Sequence, residues 1–419
     1  MGGPKASPEP NRVRVLYVST SSLSVRLVRG QLGHLRRAGF EVTVISSPGE
    51  ELASAYMLEG VQTISMSMAR EMSPWQDLLV LWRLWRIMRR FRPSITNVST
   101  PKAGLLGGLA AWLGCVPCRI YTLRGLRYET TTGFKRLGLL LCERIACRCA
   151  HRVICVSQSL RQKAVAEGVA KPEQMVVLAS GSSNGVEESH FAPRGERSRY
   201  AVHLRRHLGI PLEVPVVGFV GRFTRDKGIP ELVKAYSLLR GSHPQLRLLL
   251  VGDFEKEDAP PPEVRHSIEN DPHIIRLGFV PDTAPYYHVM DVLALPTRRE
   301  GLPNVVLEAQ AAGKAVVAAR STGVMDAMTD GVTGILVPVG NAEALAEGLA
   351  LLLKDVALAK AMGSAGRERV LREFRQERVW DALLQEYLQL LRATGLPLPK
   401  MAATSVGSAA RASTAVVPS

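Results

Sequence analysis

Val292-Leu293-Ala294-Leu295-Pro296-Thr297-Arg298-Arg299-Glu300-Gly301-Leu302-Pro303-Asn304-Val305-Val306-Leu307-Glu308-Ala309 runs from an uncharged apolar stretch through a turn into a helical pattern. A short apolar run that stops at Pro296 reads as a strand buried on both faces, as in a parallel sheet. Pro303 suits the first helical turn, where its missing N–H costs little. The N–H groups and dipole of that turn predict an anion site. Glu300 and Glu308 flank it, with Glu308 about a turn and a half inside the helix. A helix N-terminus can hold a diphosphate, and carboxylates accept hydrogen bonds from sugar hydroxyls. The combination predicts a nucleotide-sugar site. Taken alone, the two glutamates would equally suit a cap and a solvated surface.

The strand-then-helix unit recurs on both sides. In the first half the expected strands are Val13–Val18, Glu41–Ile45, Ser94–Val98, Arg119–Thr122 and Val153–Val156. Helices are expected at Val25–Ala38, Trp75–Arg90 and Lys135–Ala150, and Gly104–Cys118 reads as a buried helix plus turn. A second series begins at Val214–Val220. It continues through Arg247–Val251, Ile274–Leu277, Val292–Leu295, Ala315–Ala318 and Gly334–Val337. Two helices, Ala357–Arg372 and Gln376–Leu391, close the chain with no strand after them. Such alternation predicts an α/β protein with two Rossmann-like domains facing a cleft. The expected divisions are a loose tail at 1–11, a first domain at 12–190, a second at 191–370, a helix at 371–396 packing back on the first domain, and a second tail at 397–419.

The second series opens with Val216-Val217-Gly218-Phe219-Val220-Gly221-Arg222-Phe223-Thr224-Arg225-Asp226-Lys227-Gly228. Gly221 permits close approach of a ligand to the backbone. Arg222 offers a planar fork for phosphate and Lys227 a point charge. These groups suit a nucleoside diphosphate as leaving group. An ordinary solvated loop is the plainer reading of the same residues.

Composition sets further bounds. The chain has 419 residues, 46% hydrophobic and 22% charged, which fits a globular protein of two ordinary domains. Met1–Asn11 is polar and Pro-rich, so no export signal is expected, and no apolar run reaches membrane-spanning length. The net charge of +15 is uneven. Residues 1–200 carry 28 Lys/Arg against 14 Asp/Glu, or +14, and the remainder carries +1. That asymmetry implies an anionic partner for the first half, such as acidic lipid or a lipid-linked diphosphate. No nucleic-acid motif accompanies it, so none is expected as a partner. Cys115-x2-Cys118 invites a zinc reading, but Cys147-x-Cys149 has the wrong spacing. Buried free thiols are the expectation.

The motifs resemble those of glycosyltransferase family 4, with its two-domain B-type fold (GT-B), over roughly residues 13–395. They are Gly221-Arg222 with Lys227-Gly228, Gly278-Phe279-Val280, the Glu300-x7-Glu308 segment, Asp330-Gly331-Val332-Thr333-Gly334, Val156-Ser157-Gln158-Ser159 and Asn184-Gly185-Val186. Arg299–Asn304 and Leu307–Ala309, with Thr100–Gly104 and Thr122–Gly125, look most like the bacterial branch that builds capsule, exopolysaccharide and O-antigen units. The resemblance implies retaining transfer of a sugar from a nucleotide-sugar donor, with UDP the expected nucleotide, to a polyprenyl-diphosphate-linked saccharide. It implies no metal and no cofactor, the nucleotide sugar being a co-substrate. It places the protein in the cytoplasm, peripheral on the inner face of the cell membrane. Arg222 and Lys227 would meet the diphosphate, Glu308 the ribose and Glu300 the donor sugar. Gly221, Phe279, Val280, Gly301, Leu302, Asn304 and Val305 would complete the donor site. Ser21, Thr100, Lys102, Arg124 and Arg127 would line the first domain's side of the cleft.

There are departures from the family pattern. Arg124 and Arg127 stand where relatives often carry His, and Arg cannot act as a base near neutral pH. Arg124 could bind an acceptor phosphate or form a structural bridge, for example to Glu129. Asn97 and Ser99 also replace frequent histidines. Val324-Met325-Asp326 replaces a loop that usually ends in Glu. The Trp75–Arg92 segment fits either a membrane-surface helix or a core helix with a basic rim. The core is the favoured reading, with Leu78, Leu81, Trp82 and Trp85 inside. Two other functions stay open: a non-catalytic nucleotide-sugar or membrane-binding scaffold, and another GT-B enzyme such as a nucleotide-sugar epimerase.

Overall fold

The computed structural model describes residues 13–69, 73–193, 195–255 and 258–400. Its first sheet contains β1 (Arg14–Val18), β2 (Glu41–Ser46), β3 (Gln62–Ser65), β4 (Ile95–Ser99), β5 (Cys118–Leu123), β6 (Arg152–Cys155) and β7 (Met175–Val177). The order is β3-β2-β1-β4-β5-β6-β7, and every pairing is parallel. The second sheet contains β8 (Val216–Val220), β9 (Arg247–Val251), β10 (Ile274–Arg276), β11 (Val292–Leu295), β12 (Ala315–Ala319) and β13 (Gly334–Val337). Its order is β10-β9-β8-β11-β12-β13, again parallel throughout. β8, β11 and β12 are buried at every position, as their uncharged sequences require. Both sheets reverse direction beside their first strand, which is where doubly wound sheets open a crevice.

The first sheet has a core on each face. Helices α1 (Gln31–Arg37) and α2 (Glu50–Glu59) lie on one side. Helices α3 (Pro74–Phe91), α4 (Pro101–Leu113), α5 (Gly133–Cys149) and α6 (Gln158–Ala166) lie on the other. The helix Gln376–Ala393 crosses back from the second domain and joins the α1 side, burying Leu383, Leu384, Tyr387 and Leu391 there. Its Tyr387 hydroxyl donates to Tyr17 at 2.9 Å and accepts from Asn97 Nδ2 at 2.8 Å. Thr122 donates to Asn97 Oδ1 at 2.8 Å, so Asn97 is a buried link in a structural network.

Three expectations need correction, and two strands were missed. The helix expected at Val25–Ala38 is broken into a 3-10 turn (Ser22–Val28) and α1. Gly30 sits between them at φ +80°, and a Cβ there would lie 2.6 Å from the Trp380 ring. Packing of that indole requires the glycine, and the glycine ends the helix. Pro303 is the cap of the helix Asn304–Ala311 and not a residue of its first turn. β3 and β7, short edge strands of four and three residues, carry no pattern that announces them. Finally, Leu78 and Trp82 are not core residues, being 57% and 49% exposed. The buried stripe of α3 is Val80, Leu84 and Met88, spaced four apart, while Leu81 and Trp85 are half-buried. No helix among the described residues is long and apolar enough to cross a membrane. The six cysteines are free thiols, and Cys115 is exposed.

Candidate active site

In parallel sheets the loops after the strands gather at one edge. Here the carboxyl edges of the two sheets meet. The turn after β11 carries Glu300 and Gly301 into the contact. A Cβ on Gly301 would lie 2.2 Å from the Arg124 carbonyl oxygen and 2.9 Å from Val156 Cγ2, so only glycine fits. Ser157, at the cap of α6, donates its hydroxyl to the Gly301 carbonyl at 2.6 Å. The two domains therefore touch directly at the turn that carries Glu300.

Within the second domain, the loop after β8 and the turn after β11 are tied together. Lys227 Nζ is 2.5 Å from Glu300 Oε1, and both side chains are largely buried. Arg222 Nη1 is 2.5 Å from Glu255 Oε2, at a more open position. Asp226 links the two segments. Its carboxylate accepts from Thr224 Oγ1 at 2.5 Å and Arg299 Nη2 at 2.8 Å, and its carbonyl accepts from Arg298 N at 2.8 Å. Burial works to raise the Asp226 pKa, but the Thr224 hydrogen bond and the charges of Arg299, Lys227 and Arg222 outweigh it and hold the carboxyl below its ordinary value. The sequence offered Asp226 no role. Its signal was the spacing of a lone carboxylate inside a basic loop.

Glu308 accepts a 2.7 Å hydrogen bond from the hydroxyl of the fully buried Tyr287. Burial raises the Glu308 pKa, against the opposing hydrogen bonds of Tyr287 and Thr283 and the charges of Arg26 and His190. Arg26, from the first domain, donates to the Pro281 carbonyl at 2.6 Å. It thus bridges to the loop that holds Phe279 and Val280. Phe279 is 69% exposed, a face available for stacking. Gly221 ends β8, while Leu302, Asn304 and Val305 lead into and open the helix that carries Glu308. No side chain caps that helix.

The first domain contributes less uniformly. Ser21, Thr20 and Thr100 lie at its carboxyl edge, with Thr20 and Thr100 hydroxyls 2.6 Å apart. Thr100 holds φ +73° and ψ 145°, a conformation that costs a β-branched residue energy and is often found where function demands it. Lys102 is tied to Asp77 of α3 at 2.6 Å. Arg127 is exposed on a 3-10 turn. Arg124 differs from both. Its Nε and Nη1 are buried without a hydrogen-bond partner among the described residues. Burial pulls its guanidinium down to about 10, still a full cation at neutral pH. Glu129, the bridging partner considered from sequence, is engaged instead by Lys163 at 2.9 Å and Thr322 at 2.8 Å.

Two further contacts cross the cleft. Asp326 accepts from the backbone N–H groups of Gln158 and Ser159, each at 3.1 Å, and from the Ser159 hydroxyl. It thereby places a carboxylate on the N-terminus of α6, where a negative charge is stabilised. Arg299 Nε donates to Thr130 at 2.8 Å. The Ser157–Ser159 segment was legible as a motif, but its task of holding the second domain was not.

Residues 24–181 match the family model described as glycosyl transferase 4-like domain, and residues 203–369 match glycosyl transferases group 1. The capsular polysaccharide biosynthesis glycosyltransferase CapM of Staphylococcus aureus is 34% identical over 379 residues, covering 90% of this chain and 98% of that protein. An Escherichia coli UDP-Gal:alpha-D-GlcNAc-diphosphoundecaprenol alpha-1,3-galactosyltransferase is 23% identical, over 84% of this chain and 90% of its own. Among solved structures, Anabaena Alr3699/HepE in complex with UDP and glucose superposes with a TM-score of 0.76 at 20% identity, covering 90% of this chain and 100% of its own. The chain belongs to the group 1 glycosyl transferases and is a glycosyltransferase of the two-domain GT-B fold.

Proposed function

We propose that the protein transfers a sugar, with retention of anomeric configuration, from a UDP-sugar to a polyprenyl-diphosphate-linked saccharide in the synthesis of a cell-surface polysaccharide. The observation that carries this is the Lys227–Glu300 pair, set against Arg124 and Ser157 where the two sheets meet. A diphosphate competes with Glu300 for Lys227, and its arrival frees the Glu300 carboxylate for sugar hydroxyls. Arg222 adds a second cation at the open side. Charge that develops on the departing diphosphate is then met by fixed cations, without a metal ion. Glu308, pinned through one oxygen by Tyr287, takes the ribose hydroxyls with the other. Gly278–Val280 receives the base.

The names of the relatives support the finer points. The staphylococcal relative is named for capsule synthesis, the Escherichia coli relative for a UDP-galactose donor and a diphosphoundecaprenol acceptor, and the Anabaena structure contains UDP. Such an acceptor places the protein at the inner face of the cell membrane, against anionic lipid. The test is a thermal-shift screen of UDP-, GDP- and ADP-sugars, followed by transfer of radiolabelled donor to membrane extract. Binding to the folded state alone raises the midpoint. A shift with UDP-sugars and label in the lipid fraction are expected. No shift with any UDP-sugar overturns the donor, and label confined to water-soluble product overturns the acceptor.

A further inference from the structure

Helix α3 carries more large apolar side chains than its buried stripe can take. Trp75 is 81% exposed, Leu78 and Leu79 are each 57% exposed, and Trp82 is 49% exposed. These four lie in the first half of the helix, on the side away from Val80, Leu84 and Met88. The second half of the same outward side is basic: Arg83, Arg86, Arg89 and Arg90 are all exposed. Arg86 stacks over the Trp82 ring at 4.9 Å, which keeps an aromatic and a cation together at the surface. Helix α5 repeats the arrangement. Phe134 is 95% exposed, Leu137 61% and Leu141 57%, at a spacing that puts them on one face. Lys135 and Arg136 are exposed beside them.

Both helices pack against α4 and so belong to one layer. Both follow strands of a parallel sheet, so their apolar first turns lie at the carboxyl edge, beside the cleft. Among the described residues, neither helix exposes an unpaired carboxylate of its own, and Glu167, at the end of α6, reaches the patch only to pair with Arg136 at 3.3 Å. The one carboxylate of α3, Asp77, is paired with Lys102, and the one carboxylate of α5, Glu143, is buried. A patch of Trp, Phe and Leu with Arg, on helices that expose no unpaired carboxylate among the described residues and are too short and too charged to span a bilayer, has the chemistry of a helix lying in a lipid interface.

We propose that the outward faces of α3 and α5 form the surface by which this protein docks on an anionic bilayer. Trp75, Leu78, Trp82, Phe134 and Leu137 enter the head-group and acyl-chain boundary, and the arginines of α3 meet lipid phosphates. The cleft mouth then faces the membrane, so the head group of a lipid-linked diphosphate enters without leaving the bilayer. This last step rests on the acceptor reading above, but the docking itself does not.

The test is co-sedimentation of the full chain with vesicles of phosphatidylcholine alone or mixed with phosphatidylglycerol. The wild type is expected to pellet with the anionic vesicles only. Trp75→Ser/Trp82→Ser and Phe134→Ser/Leu137→Ser should each weaken that binding ~10-fold or more. Arg86→Glu/Arg89→Glu should abolish the preference for anionic lipid. All these side chains are exposed, so the melting midpoint and the UDP-induced shift should match the wild type. Absence of vesicle binding by the wild type, or equal binding by the Trp and Phe variants, overturns the proposal. Concentration-dependent dimerisation without vesicle binding does so too, assigning the patch to a second copy. Failure of the donor reading would appear separately, as loss of the UDP shift in every protein with vesicle binding intact.

Discussion

Ser157 of the first domain donates its hydroxyl to the carbonyl of Gly301 in the second, at 2.6 Å, inside the turn that carries Glu300. The distance between the two halves of the cleft is therefore set at the residue next to a proposed substrate contact. Gly301→Ala would place a methyl 2.2 Å from the Arg124 carbonyl oxygen, a backbone atom that cannot swing aside. The expected result is a wider cleft, measured as an increased radius of gyration by small-angle scattering. Transfer should fall ~100-fold, as for other displacements of about 1 Å at a reacting centre. Ser157→Ala, which only removes the bond, should cost less.

Lys227→Ala and Glu308→Ala test the proposed donor site from its two ends. Loss of Lys227 removes a fixed cation from the diphosphate and should lower kcat by ~100-fold or more. Loss of Glu308 should chiefly weaken nucleotide binding, read as a lost UDP-induced shift in the melting midpoint. Tyr287→Phe deletes only the hydroxyl that orients Glu308 and should weaken UDP binding by ~5- to 10-fold. Unchanged transfer in both alanine variants would sink the site assignment.

Arg124→Gln separates a substrate contact from a structural one. Its Nε and Nη1 are buried and unpartnered, so the cation costs the folded state energy. Its removal should raise the melting midpoint by ~2 °C or more, while transfer falls at least ~10-fold. A lower midpoint with unchanged specific activity would show that Arg124 serves the fold.

Glu143 gives the protein a pH dependence away from the cleft. Burial raises its pKa from 4.5 to about 7, despite the Tyr121 hydrogen bond and the Arg127 charge, both of which lower it. The folded value lies above the unfolded one, so the stability linked to this proton is fully present below about 4.5 and is lost as pH rises through about 7. Glu143→Gln keeps an acceptor for the Tyr121 hydroxyl and removes the titration. At pH 8 the variant should be more stable than the wild type by up to ~3 kcal/mol. Urea unfolding at pH 5 and pH 8 checks this, and the difference should shrink at pH 5.

Much of the fold could be read from the order of apolar runs. β8, β11 and β12 are uncharged and apolar or Gly throughout, so pattern alone located them. β3 and β7 escaped because edge strands need only one buried neighbour and carry a weaker pattern. The second-domain site was legible because its groups lie close in sequence and are polar where a strand ends. The contacts made by Tyr287, Asp326 and Ser157 were not, because their partners are 21 to 168 residues away and those roles exist only after folding. Trp82 was misplaced for a different reason. A helix pattern shows which residues are apolar but not how many of them the sheet can cover.

The returning helix Gln376–Ala393 has a consequence for biosynthesis. Domains ordinarily fold as they leave the ribosome, the N-terminal one first. Here the first domain lacks Leu383, Tyr387 and Leu391 from its core, and the partner of Tyr17 and Asn97, until almost the whole chain has been made. The earliest-synthesised half is thus the last to be completed. During translation it carries an uncovered apolar face on the α1 side of its sheet, and a chain that ends before Gln376 keeps that face for good.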